Sequence, residues 1–120
     1  MKRNRFLFVV FLIGLLSSLT FAYSGGSGSR TDPYQISTPA DWQQLTTDSN
    51  NWDKNFILTA DIDLAGIDLT PVAPGNYVEE GWGADFTGTS FTGVLDGNGH
   101  IIQNVTMDLP DTDCVGLFGL

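Results

Sequence analysis

The side chains best placed to do chemistry are acidic. Asp61 and Asp63 stand two apart in the alternating run from Phe56 to Leu64. On an extended chain they share a face, with Cα atoms about 6.5–7 Å apart. That is near the roughly 6.5–9.5 Å between the carboxyls of an inverting glycosidase. With Asp68 or a loop carbonyl as a third oxygen, the same pair also suits a weak calcium site. The simplest account is a solvated outer strand face in an acidic protein. Asp96 and His100 flank the turn Asp96-Gly97-Asn98-Gly99, as a base and its orienting acid would. No nucleophile accompanies them, and the turn accounts for its residues without a catalytic role. His100 is the one histidine, which excludes a multi-histidine zinc site within the chain. Cys114 is the one cysteine, so no intrachain disulfide can form, and beside Val115 it reads as a small buried hydrophobe.

Aromatic side chains supply the other candidates. Trp42, Trp52, Tyr77 and Trp82 are the material for a sugar-stacking platform. Trp42 is expected to pack beneath a helix, which leaves Tyr77 and Trp82, on a Gly-rich loop, as the exposed ligand candidates. Asn104-Val105-Thr106 is a glycosylation sequon, although a chain bend accounts for Asn104 better.

These residues must be positioned by short elements. Thr38 is a good helix N-cap, Pro39 fits the first helical position, and Asp41 lies three after the cap. A helix is therefore predicted from Thr38 to Thr47, with Trp42 and Leu45 on its buried face. From Phe56 the period becomes two: Phe56, Leu58, Ala60, Ile62 and Leu64 share one face, the pattern of a half-buried strand. Residues 66–88 read as a long loop with one extended piece near Leu69 to Val72. Phe91 to Leu95 is extended, Asp96 to Gly99 turns, and His100 to Leu109 is extended again. A bend at Asn104, a residue that tolerates the left-handed region, would turn Ile102, Val105, Met107 and Leu109 inward.

The front of the chain reads as an export signal. Lys2, Arg3 and Arg5 precede an apolar run from Phe6 to Leu16, and small residues lead to Ala22. Cleavage is expected after Ala22, with an uncleaved N-terminal anchor as the alternative. Cleavage there gives a signal peptide at 1–22, a Gly/Ser-rich linker at 23–31 and a folded region at 32–120. Once the leader is removed, Arg30 and Lys54 face 14 acidic residues, a net charge of −12. Such a surface repels nucleic acid and anionic lipid. No segment after the leader is apolar enough to span a bilayer.

The run Phe91-Thr92-Gly93-Val94-Leu95-Asp96-Gly97-Asn98-Gly99-His100-Ile101-Ile102-Gln103-Asn104-Val105, followed by Gly116-Leu117-Phe118-Gly119, resembles the repeat of GLUG-motif secreted and surface proteins. Asp32-Pro33-Tyr34-Gln35-Ile36 and Leu58-Thr59-Ala60-Asp61-Ile62-Asp63-Leu64 resemble the N-terminal region of that family. The resemblance implies an all-β right-handed parallel β-helix, capped by the Pro39 helix and incomplete after Leu120. It implies a noncatalytic scaffold for adhesion or carbohydrate contact, with polysaccharide or cell-surface partners and self-association through an uncapped last coil. It also implies a bacterial source, in which the sequon would go unused. The alternative is the front of a polysaccharide lyase or glycoside hydrolase, or a peptidase-associated repeat, with its active site beyond residue 120. Lyases of that architecture use basic residues and commonly calcium. Arg30 and Lys54 are too few for that chemistry, so no catalytic residue and no firm cofactor is assigned within the chain.

Overall fold

The computed structural model describes residues 23–120, apart from the side chains of Glu80 and Ala84. The expected signal peptide lies outside the described residues. Among those described, no helix is long and apolar enough to cross a membrane.

The helix, α1, spans Pro39–Thr47. Its start is a capping box: Asp41 N donates to Thr38 Oγ1 at 3.1 Å, and Thr38 N donates to Asp41 Oδ2 at 3.2 Å. Two of the helix's orphan donors are thereby satisfied reciprocally. Trp42 and Leu45 are fully buried beneath it. At the other end, Trp52 Nε1 donates to the Leu45 carbonyl at 2.7 Å, which satisfies one of the carbonyls that a helix terminus leaves unpaired. A 3₁₀ turn at Ser49–Asn51 follows.

Strands β1 (Tyr34–Ile36), β2 (Asn55–Leu58) and β6 (Val94–Asp96) form a parallel three-stranded sheet with β2 in the middle. Tyr34, Phe56 and Leu95 lie in register across it. Strands β3 (Ile62–Asp63) and β7 (Ile102–Gln103) form a parallel pair. The alternation read from Phe56 onward is present, with Phe56, Leu58, Ile62 and Leu64 buried. The chain breaks ladder pairing between Leu58 and Ile62, so one expected strand becomes two. Aromatic rings link the elements in series. Tyr23 contacts Tyr34 (4.9 Å between centroids) and Phe56 (5.3 Å); Phe56 contacts Phe91 (5.9 Å), and Phe91 contacts Phe118 (5.0 Å), which meets Trp42 edge-on.

The expected parallel β-helix is corrected by this arrangement. The described strands fall into separate sheets of three, two and two strands, with no closed or solenoidal sheet. The fold is small and mixed, not all-β coils under a cap. Two features limit the sheets. Each parallel strand is only two to four residues long. Beyond that, residues 76–87, read from sequence as loop, pair with themselves. β4 (Asn76–Glu80) and β5 (Gly83–Thr87) make an antiparallel hairpin around Gly81-Trp82, with Gly81 at φ +49°, the positive φ that primed hairpin turns require. The piece near Leu69 to Val72 is buried and makes only isolated bridges, Asp68 to Thr106 and Val72 to Phe118.

Residues 23–31 differ from the expected linker. Tyr23 is 6% exposed, and its hydroxyl donates to Asp48 Oδ2 at 2.8 Å. Ser24 N donates to the Gln35 carbonyl (2.9 Å), Gln35 N to that of Gly25 (2.8 Å) and Asn55 N to that of Gly28 (2.9 Å). Ser24 Oγ donates to buried Asp41 at 2.5 Å. The segment therefore lies against β1 and the helix start. Its glycines serve close approach: a Cβ on Gly28, at φ +83°, would sit 2.4 Å from the Tyr34 ring. The bend at Asn104 is present, at φ +59°. It brings Ile102 and Met107 against the core but leaves Val105 41% exposed, so Val105 does not turn inward as expected.

Candidate functional site

The β4–β5 hairpin presents the most exposed aromatic surface among the described residues. Trp82 stands at its two-residue turn and is fully exposed. Tyr77 and Phe86 face each other across the strands with centroids 5.8 Å apart and planes at 69°, an edge-to-face pair. They are 44% and 54% exposed. The base of the hairpin is fixed to the body. Tyr77 N donates to Asp113 Oδ2 (2.9 Å), Asp113 N donates to Asn76 Oδ1 (3.3 Å), and Cys114 N donates to the Gly75 carbonyl (3.3 Å). Gly75 and Gly88 pack beside Leu120 with no room for a Cβ. The tip thus projects from an anchored base; exposed Glu79 shares the face of the Tyr77–Phe86 pair, exposed Asp85 lies on the opposite face, and Asp113 stands at the base. Rigid aromatic planes beside polar acceptors form a surface suited to ligands with both apolar faces and hydroxyl donors.

Tyr77 and Trp82, singled out from sequence, thus share one hairpin. Phe86 was missed, although Tyr77 and Phe86 are equidistant from the Gly81-Trp82 turn and any hairpin centred there pairs them. Trp42 and Trp52 are buried and take no part.

The carboxylates are used differently. Asp61 Oδ1 accepts from Ile101 N at 3.0 Å and pairs with His100 Nδ1 at 3.1 Å. Asp63 Oδ1 accepts from Asn104 Nδ2 at 2.9 Å and from Ala65 N at 3.0 Å. The two acids clasp the chain on either side of β7. These bonds favour the ionised forms. The Ile101 amide, then His100, holds Asp61 below the ordinary carboxylate value of 3.8, and the Asn104 amide, then the Ala65 N–H, does the same for Asp63. His100 pairs with Asp61 and not with Asp96, whose Oδ1 accepts from Asn98 N at 2.9 Å within the turn. Asn98 Nδ2 in turn donates to the Leu58 carbonyl at 3.2 Å. Asp68 lies apart from the clasp, in an open hollow of about 340 Å³ lined also by Gly66, Ile67, Thr106 and Asp108. Among the described residues, no three His, Cys, Asp or Glu side chains are grouped to hold a metal ion.

No protein-family profile and no solved structure matches the chain. The chain is similar to halomucin. That protein, from Haloquadratum walsbyi, is 37% identical over 103 residues, which cover 86% of this chain and 1% of halomucin. The chain therefore spans about one hundredth of the length of the relative it matches.

Proposed function

We propose that this chain is a noncatalytic binding module of an exported surface or secreted protein, and that its β4–β5 hairpin contacts neutral carbohydrate. The observation that carries the reading is the anchored hairpin with Trp82 fully exposed beside the Tyr77–Phe86 pair. Support for export comes from the leader pattern at 1–22 and from similarity to a relative whose name classes it with mucins. The ligand follows from the charge around the pair: Glu79, on the same face, accepts from hydroxyls, and the acidic surface as a whole repels anions. The GLUG-like residues Gly116 to Gly119 pack at the hairpin base, where Gly119 N donates to the Val72 carbonyl at 2.8 Å. Their role is to hold the base, not to contact ligand.

The test is affinity electrophoresis and titration calorimetry against neutral and acidic polysaccharides. Binding to a neutral polymer is expected, with at least a tenfold loss, about 1.4 kcal/mol, in Trp82→Ala. The melting curve of that variant should stay within about 0.5 kcal/mol of the parent, as for an unpacked surface site. Equal retardation of parent and variant would remove the hairpin from the function. Release of reducing ends or unsaturated sugars would overturn the noncatalytic reading.

A further inference from the structure

Against the unused sequon that the family resemblance implies, we propose that Asn104 is the attachment point of an N-linked glycan. Asn104 is the one asparagine in the chain with Ser or Thr two residues later, the acceptor pattern of a surface loop in an exported protein. The structure adds three observations. Asn104 leaves the end of β7 at φ +59° and is exposed, so the acceptor amide lies on a bend and not within a ladder. Thr106, which completes the sequon, is exposed too, and its hydroxyl makes no hydrogen bond within the described residues; its backbone alone is engaged, accepting from Leu69 N at 3.1 Å. Finally, Val105 between them is 41% exposed, so the whole sequon lies open at the surface.

The donor is a glycan activated on a lipid phosphate, delivered by a transferase outside the cytoplasm. Asn104 Nδ2 forms a bond to the anomeric carbon. The bond from that carbon to the phosphate oxygen breaks, the lipid phosphate leaves with the electron pair, and one amide proton is lost. The product amide keeps one N–H, so Nδ2 still has a donor for Asp63 Oδ1, now 2.9 Å away. A bend that serves the fold thus doubles as an acceptor site.

This inference rests on the export reading, and the experiment separates the two. The protein is recovered from cell-surface and medium fractions of its native source, its N-terminus is sequenced, and the peptide containing Asn104 is weighed by mass spectrometry. An exported chain carrying sugar mass on Asn104 is expected, with the mass lost in Asn104→Gln and Thr106→Ala and kept in Thr106→Ser. An exported chain with bare Asn104 overturns this proposal alone, as does a mass increment that survives Thr106→Ala. A chain that is not exported overturns both.

Discussion

Replacing Tyr23 by alanine tests whether the Gly/Ser segment belongs to the fold. The ring is 6% exposed and packs at 4.9 Å and 5.3 Å from the Tyr34 and Phe56 rings. Truncation of a buried aromatic costs roughly 3–5 kcal/mol. The hydroxyl's 2.8 Å bond to Asp48 adds about 1 kcal/mol. A loss of about 5 kcal/mol is a large share of the roughly 5–15 kcal/mol that holds such a domain together. At about 4–8 °C per kcal/mol for a domain of this size, the midpoint should fall by roughly 20–40 °C. Tyr23→Phe isolates the hydroxyl and should cost about 1 kcal/mol. The assay is urea and thermal unfolding followed by circular dichroism at pH 7. Tyr23→Ala within about 1 kcal/mol of the parent would refute the argument and return residues 23–31 to the status of a tether. Titration supplies a second readout. Burial, then the Asp48 carboxylate, raises the Tyr23 phenol far above the ordinary 10.0. Its contribution is therefore complete below pH 10 and is lost progressively above it. Tyr23→Phe should flatten that alkaline decline.

The clasp acids give the opposite pH dependence. Because Asp61 and Asp63 are held below 3.8, their contribution is present above that pH and fades as pH falls below it. Asp61→Asn and Asp63→Asn should each lower stability at pH 7 and make the loss on acidification shallower, as read from denaturation midpoints between pH 7 and 2. Gly93→Ala places a Cβ 2.0 Å from the Lys54 carbonyl oxygen, which accepts from Val94 N. Overpacking against backbone should cost about 3 kcal/mol, and a variant with the parent's midpoint would mean that β2 and β6 are not held as described.

How much of this was legible in the sequence depended on range. The capping box is written in four consecutive residues, Thr38 to Asp41, and it formed as read. The positive φ at Asn98, Gly99 and Asn104 also follows from local residue preference. Contacts across the chain were not legible. Asp61 meets His100, 39 residues away, and nothing near either residue announces the other. Gly26 and Gly28 were misread because a glycine that permits close approach and one that permits flexibility look alike until the Tyr34 ring is placed beside it. The hairpin was hidden by the glycines that interrupt its alternation. The β-helix expectation failed for a related reason: a repeat-like run states what one strand and turn will do but not how many neighbours the strand will find, and here the sheets stop at three and two strands.

The distribution of tryptophan has an optical consequence. Trp42 and Trp52 are enclosed beneath and beside α1, while Trp82 stands wholly in solvent on the hairpin. Intrinsic fluorescence is thus a sum of two reporters with different duties. A neutral quencher such as acrylamide will silence the outer indole and spare the inner pair, whose spectrum then tracks cohesion of the core. The quenchable fraction tracks occupancy of the hairpin. Binding and unfolding can be followed in one cuvette with no label attached.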